Sequence, residues 1–225
     1  MSERPILMSG PMVRAILAGT KTQTRRVVKP QPPSNCVRPM AYEGIWTWEY
    51  LRHGVHVGPM CPYGGPGDTL WVRETHASTA QAGDHASDAR TVYRATDPDW
   101  STMSGWKWKP SIFMRRADSR ISLRVTSVRV ERVQDISEED ARAEGVQRMG
   151  ATQLRMYGEG SRAGRAWVRY TNTPTPWCDS ARESFASLWC CINGRESWDA
   201  NPWCWCVGFE RVESAVLAQL GGEHG

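Results

Sequence analysis

The sequence predicts an α+β fold built around a small, largely antiparallel β-barrel. The predicted order is β-α-β, a long insertion and then β-β-β-α-α-β, which lacks the regular βαβ crossovers of a parallel sheet. The longest predicted strand, RISLRVTSVRVERV at 120–133, changes the phase of its apolar alternation at Thr126-Ser127. Such a slip is typical of a β-bulge in a strongly curved sheet, and strong curvature favours a barrel.

The N-terminal elements follow from short apolar runs and their caps. Residues 5–8 are apolar and predict a strand. Ser9 lies at the N-cap of the next helix, and Pro11 lies near the first turn, where its missing N–H group does no harm. Apolar residues recur at helical spacing until Gly19, a typical C-terminal cap. The β-prone residues 22–28 predict the second strand.

The middle of the chain alternates between loops and strands. Proline and glycine dominate 29–66, where a short ribbon fits at about 45–51. The segments TLWVRE at 69–74 and TVYRA at 91–95 predict strands, and a polar stretch at 76–90 separates them. A Trp-rich loop then precedes the long strand.

Two helices and a strand complete the predicted fold. Ser137 caps the acidic helix SEEDARAEG in a pattern that resembles a capping box, and the glutamates of its first turn suit the positive end of the helix dipole. Residues 147–176 are polar and predict a long loop. Asp179 or Ser180 caps a second amphipathic helix that ends at Gly194, and 203–212 predict the last strand.

Composition excludes several classes of protein. Hydrophobic residues are 40% and charged residues 23% of the 225, which is enough to bury a core. The formal net charge of +4 permits a nucleic-acid partner without requiring one, and most of the twelve tryptophans are expected in the core. No apolar run is long enough for a membrane span, and MSERPILMSG is too short and charged for a secretory signal. The seven cysteines lack a CxxC pair, which predicts a reduced protein in a bacterial cytoplasm, or in the host cytoplasm if a phage encodes it.

The segment GTKTQTRR at 19–26 is the first candidate for chemistry. Lys21 follows the helix end, and Thr22, Thr24 and Arg26 alternate onto one face of the strand. A shielded lysine that curls over this face could take the proton of the Thr24 hydroxyl, and Arg26 offers N–H donors to a carbonyl or phosphate. The alternative is a solvated basic strand edge, because threonine favours strands without any function.

Two glutamates are the next candidates. Glu144 is the last residue before Gly145, at the negative end of the helix dipole, and a residue that breaks a local rule is a candidate for function. Glu74 ends its strand, and we expect an ion pair with a strand-borne arginine rather than catalysis. His53, His56 and Cys61 lack a second ligand pair, so we expect no metal site. The chain also lacks a P-loop, a dinucleotide fingerprint, a GxSxG elbow and an HExxH motif.

GTKTQTRR matches the G-x-K-x-x-x-x-R signature of the ASCH domain, a branch of the PUA-like β-barrels. The preceding helix PMVRAILAG and the downstream block RVTSVRVERVQDISEEDARAEGV also fit this family, as do GDTLWVRE, ESFASLWCCING and NPWCWCVGFERV. The chain resembles the longer ASCH proteins that phages and prophages often encode. The resemblance covers most of the chain and is weakest at 76–100 and 147–176.

The resemblance implies one PUA-like domain at 1–213, with insertions at about 29–66, 76–110 and 147–178 and a polar tail at 214–225. It also implies an amidohydrolase that removes the acyl group from the exocyclic nitrogen of an N(4)-acetylcytidine-type base, without a cofactor. The family's catalytic lysine, threonine and glutamate fall on Lys21, Thr24 and Glu144. The substrate-binding candidates are Arg26, Arg25, Thr22, Glu74 and Trp108.

Several alternatives stay open. Thr24 could attack the acyl carbon with Lys21 as its base, or Glu144 could activate a water molecule. The chain could instead be a ribonuclease, or a non-catalytic RNA- or DNA-binding module. In such a module the lysine and arginines contact phosphate, and Trp46, Trp106 or Trp108 stacks on bases. The block PSIFMRRADSR departs from longer relatives, with Phe113 in place of histidine and with Arg115 and Ala117 in place of proline and tryptophan.

Overall fold

The computed structural model describes residues 2–32, 36–42, 45–50, 54–57, 60–78, 90–99 and 107–212. Its strands are β1 (Glu3–Leu7), β2 (Gln23–Val27), β3 (Cys36–Tyr42), β4 (Ile45–Tyr50), β5 (Gly54–Val57), β6 (Thr69–Arg73), β7 (His76–Ser78), β8 (Thr91–Tyr93), β9 (Ser122–Arg132), β10 (Trp167–Val168), β11 (Trp177–Cys178) and β12 (Trp203–Val212). Its α-helices are α1 (Gly10–Leu17), α2 (Glu138–Ala143), α3 (Ala151–Met156), α4 (Ala181–Asn193) and α5 (Arg195–Asp199).

The chain forms two compact units, each assembled from separate segments. The first unit contains the described residues within 1–19, 63–126 and 209–225, and the second contains those within 20–62 and 127–208. Strands β9 and β12 contribute residues to both units. Strands and helices follow one another without regular βαβ alternation, which confirms the predicted α+β class.

The first unit holds the strand order β1-β6-β9-β12. Strand β1 pairs in parallel with β6, and β6 pairs antiparallel with β9 from Thr69↔Arg124 to Trp71↔Ser122. In β9 the buried residues change phase after Val125, as the sequence predicts. Ser9 is the N-cap of α1 as predicted, although its side chain makes no capping hydrogen bond.

The second unit holds the strand order β9-β12-β2, and β2 pairs antiparallel with β12 from Gln23↔Gly208 to Val27↔Cys204. Residues Trp203 to Phe209 of β12 are buried on both strand faces. Helices α2 and α4 pack on the core of this unit through Ala141, Phe185 and Trp189. Serine N-caps start both helices as predicted, because Ser137 accepts from Asp140 N and Ser180 accepts from Glu183 N.

Two predicted loops contain more structure than expected. The segment 29–66 carries the three-stranded antiparallel sheet β3-β4-β5 where we predicted one short ribbon. The predicted loop at 147–176 is wrong, because the segment contains α3, a 3₁₀ turn at Gly160–Arg162 and β10, which pairs with β11 just beyond it. Polar composition hid these elements, since each buries only a few side chains, such as Leu154 and Ala166.

The strands of the described chain lie in open sheets, and no sheet there closes into a barrel. The eight tryptophans whose side chains are described are all buried or half-buried, as expected for core residues. Among the described residues, no helix combines the length and the apolar character that a membrane crossing requires.

Candidate active site

Lys21 and Glu144 meet where the start of β2 faces the end of α2. They form an isolated antiparallel β-bridge, and Thr22 N donates to Ala143 O at 2.8 Å. Gly145 adopts a φ of 84°, which ends the helix and holds Glu144 at this place. The turn after Gly19 (φ 72°) brings the chain into β2. Local cues at both ends thus bring together two residues that lie 123 positions apart.

The Lys21 ammonium uses all three of its N–H donors. It donates to Glu144 Oε2 at 2.8 Å, to Glu144 O at 2.9 Å and to Gln23 O at 2.7 Å. The two residues are 2% and 6% exposed, so this ion pair is buried. A buried pair needs such additional hydrogen bonds, because both charges lose their hydration.

The pKa of Lys21 lies below its ordinary value. Burial is the largest cause, since it disfavours the charged ammonium. The charge and the hydrogen bond of Glu144 act in the opposite direction, whereas the nearby charges of Arg26 and Arg25 lower the pKa further. Lys21 therefore loses its proton more readily than a lysine in water.

Arg25 lies two residues after Gln23 on the same face of β2 and also contacts the acidic helix α2. Its Nη2 donates to Glu131 Oε2 at 2.8 Å and to Asp140 Oδ2 at 2.9 Å. Arg129 donates to the same two carboxylates. The Arg25 guanidinium also lies 6.0 Å from the centre of the Phe185 ring. Its Nη1 lies 3.7 Å from Glu144 Oε1, which is too long for a hydrogen bond.

Four buried polar atoms of this cluster have no hydrogen-bond partner among the described residues. They are Gln23 Nε2, Arg25 Nε, Arg25 Nη1 and Glu144 Oε1. A buried polar atom without a partner costs about 1–3 kcal/mol, so native proteins rarely keep several of them together. Three of these atoms are donors and one is an acceptor. The cluster therefore has the hydrogen-bonding capacity for a ligand with acceptor atoms beside a donor.

Thr24 does not join this pair. Thr24 is 1% exposed and pairs with Val207 of β12. By strand alternation Thr24 lies on the face opposite to Gln23 and Arg25. The Lys21 ammonium, which we expected to curl over the Thr24 face, binds Glu144 and the Gln23 carbonyl instead.

The other candidate residues differ in exposure and in the unit to which they belong. Thr22 is exposed, and Arg26 is half-buried with its charge close enough to lower the pKa of Lys21. Glu74 belongs to the first unit, where Arg120 binds both of its oxygens at 2.9 and 3.1 Å. The sequence favoured an ion pair of Glu74 with an arginine, and the partner is Arg120, which lies two residues before β9. Trp108 is half-buried and also belongs to the first unit.

Some sequence candidates cannot be placed. Trp106 and His53 lie outside the described residues, as do the side chains of Trp46 and His56. Cys61 is buried. In the ranges that the structure describes, no group of three His, Cys, Asp or Glu residues could hold a metal ion.

Sequence reasoning missed the side chain of Gln23 and the central role of Arg25. The alternation of side chains along the strand contained the signal, since positions 21, 23 and 25 share one face of the segment. The acidic residues of α2 also had no predicted partners. The alternating threonines led the prediction to the other face of β2. Comparison of the chain with protein-family models, with curated proteins and with solved structures found no match.

Proposed function

We propose that this protein is an amidohydrolase that removes an acyl group from the exocyclic nitrogen of a modified cytosine base. The observation that carries the proposal is the pairing of Lys21 with Glu144, in which Glu144 Oε2 is held and Glu144 Oε1 finds no hydrogen-bond partner in the part of the chain that the structure describes. A carboxylate fixed at one oxygen and unpaired at the other is suited to act as a general base.

The reaction we propose uses water as the nucleophile. Glu144 Oε1 accepts a proton from a water molecule while the water oxygen bonds to the acyl carbon. The same carboxyl then gives this proton to the exocyclic nitrogen as the carbon–nitrogen bond breaks. The products are a carboxylic acid and the unmodified amino base. The Lys21 ammonium orients Glu144 and supplies positive charge beside the developing oxyanion.

Donors for the acyl oxygen are present in the same cluster. Arg25 Nη1 lies 3.7 Å from Glu144 Oε1, so one bound group can contact both atoms. Gln23 Nε2 is a second buried donor without a partner. These two side chains are better candidates to hold the oxyanion than Arg26. Because Oε1 is buried, a substrate reaches it only when the covering side chains move.

The alternative route through Thr24 requires a larger rearrangement. Lys21 would have to lose its proton and leave three acceptors before it could accept the Thr24 proton. Its lowered pKa assists the first step but not the second. The arrangement therefore favours Glu144 as the base for water over Thr24 as a nucleophile.

Assignment to the ASCH family and its PUA-like fold is part of the same proposal. The observed order β1-α1-β2 and the contact between GTKTQTRR and the acidic helix α2 support it. A modified nucleoside or nucleic acid as substrate belongs to the proposal as well. A reducing cytoplasm as the location also belongs to it, and the free thiols of six cysteines in the described part of the chain are compatible with that location.

The test is hydrolysis of N(4)-acetylcytidine by the purified chain, followed through the change in ultraviolet absorbance. Glu144→Gln is expected to lower kcat by roughly 10²–10⁴. Thr24→Ala is expected to change kcat less than about tenfold on the water route. Lys29→Met, which replaces an exposed lysine of the same unit, serves as the matched control for loss of a lysine in Lys21→Met.

The outcomes separate the possible roles. Loss of turnover in Thr24→Ala, with an unchanged melting temperature, would select the nucleophilic threonine instead of water. Undiminished turnover in folded Glu144→Gln and Lys21→Met would remove this pair from the mechanism. No turnover by the native chain with nucleoside or acetylated oligonucleotide would reject the proposed activity.

A further inference from the structure

The segment 147–169 carries a net positive charge. It contains five arginines, one glutamate and no lysine, in a chain whose formal net charge is +4. The segment covers α3, the turn at Gly160–Arg162 and β10, all within the second unit. Its arginines are Arg148, Arg155, Arg162, Arg165 and Arg169. A charge density of this kind needs a reason, because like charges repel in the folded state.

Three of these arginines are exposed and have no carboxylate partner within the described residues: Arg148, Arg155 and Arg165. The Arg165 guanidinium donates to the Ser161 carbonyl at 3.2 Å. Arg148 stacks on the Trp167 ring, with its guanidinium carbon 4.1 Å from the ring centre. Arg162 differs, since it pairs with Glu159 and Asp179. The surface thus presents uncompensated guanidinium groups.

Exposed apolar side chains lie in the same segment. Tyr157 is 56% exposed and Met156 is 82% exposed, at the end of α3. The Tyr157 ring lies 6.0 Å from the Trp177 ring of β11. Arg162 in turn lies 6.0 Å from the centre of the same Trp177 ring. Aromatic rings interleaved with arginines are a typical platform for unpaired bases.

A cavity of about 390 Å³ opens among these arginines. Arg162, Arg165 and Ser161 line it together with Ala166, Glu159 and Asp179. This volume lies in the range of small-molecule sites, roughly 300–1,000 Å³, and is sufficient for a nucleotide-sized group. Arg165 and the Ser161 hydroxyl provide donors for phosphate oxygens, whereas Arg162 is already paired with Glu159 and Asp179.

We infer that the surface of 147–169 and β11 binds single-stranded nucleic acid. Guanidinium groups would contact the phosphates, and Tyr157 would stack on a base. Stacking on an exposed ring requires an unpaired base, which favours a single strand over a duplex and over an acidic peptide. The inference stands on this surface alone. If the proposed hydrolase activity also holds, its substrate base belongs to a polymer.

The test measures fluorescence anisotropy of labelled RNA and DNA oligonucleotides of about 12 nucleotides. Their bases are unmodified, so hydrolysis plays no part in the result. The double variant Arg155→Gln/Arg165→Gln is compared with Arg115→Gln/Arg195→Gln, which removes the same charge from two exposed arginines elsewhere. We expect the first pair to raise Kd about tenfold or more, and to reduce the slope of log K against log salt by roughly 1.4. The second pair is expected to change Kd little.

Tyr157 provides a second, charge-neutral test. Tyr157→Ala is expected to raise Kd about fivefold or more, whereas Tyr157→Phe retains the ring and the affinity. The inference is overturned if the native chain binds neither oligonucleotide at about 50 mM salt. Equal weakening by the two double variants, or stronger binding of duplex than of single strands, would also overturn it.

Discussion

The ammonium group of Lys21 binds both the side chain and the main-chain carbonyl of Glu144, at 2.8 and 2.9 Å. The contact closes a separation of 123 residues and joins the start of β2 to the end of α2. It also explains why a glutamate is found at a helix C-terminus. There the buried cation compensates both the carboxylate and the negative end of the helix dipole.

This pair is expected to be strongly coupled in stability. Lys21→Met or Glu144→Gln leaves one buried group without its partner, so each is expected to lower the free energy of unfolding by about 3–5 kcal/mol. The double variant Lys21→Met/Glu144→Gln should lose clearly less free energy of unfolding than the sum of the losses in the two single variants. Urea denaturation of the three variants measures this, with Lys29→Met as a control that should cost less than about 0.5 kcal/mol. Additive losses would contradict a direct coupling.

The titration of Lys21 offers a check that does not depend on activity. We expect its ε-carbon resonance to titrate below 10.5, the ordinary value, because burial lowers the pKa more than Glu144 raises it. Glu144→Gln should lower the pKa of Lys21 further. Between the pKa values of Lys21 in the folded and the unfolded state, the unfolded state binds more protons than the folded state. The contribution of Lys21 to the free energy of unfolding therefore rises with pH across this range. A Lys21 resonance that titrates with the exposed lysines would contradict the buried geometry.

Asp140 is expected to contribute to the loss of stability in acid. Burial raises the pKa of Asp140, but hydrogen bonds and charges from Arg129 and Arg25 more than offset this and hold the pKa below its ordinary value. Its contribution is therefore present above about pH 3.9, the unfolded value, and is lost as pH falls through the folded pKa. In Asp140→Asn, the free energy of unfolding should decrease less than in the native chain as the pH falls from neutral to acid, as measured by urea denaturation at a series of pH values. The same decrease in both proteins would show that Asp140 is not coupled to the arginines.

The two serine caps give a matched pair of substitutions. Ser180 accepts a hydrogen bond from Glu183 N at 3.1 Å and starts α4, which carries the buried Phe185 and Trp189. Ser180→Ala is expected to lower the free energy of unfolding by about 1 kcal/mol. Ser9→Ala should cost only a few tenths, because the Ser9 side chain makes no capping bond. Thermal or urea unfolding of both variants measures the difference, and equal losses would contradict the assigned caps.

Local patterns in the sequence predicted most elements of the fold. The periodicity of 120–133 and 203–212 predicted β9 and β12, and serine and glycine signals predicted α2 and α4. Such patterns predict an element correctly because the residues that form the pattern lie within a few positions of one another in the sequence. The elements at 147–176 escaped prediction because they are short and lie on a largely polar surface, where the hydrophobic signal is weak.

From the amino-acid sequence alone it follows that Lys21 and Glu144 lie at the ends of elements, that α2 carries acidic residues and that arginines crowd 147–169. Which side of β2 faces that helix follows only from the three-dimensional structure. A side chain on a strand changes face with every residue, so Lys21, Gln23 and Arg25 meet the acidic helix while Thr24 does not. The sheet register, set by the pairing of β2 with β12, makes this choice, and no local pattern encodes it.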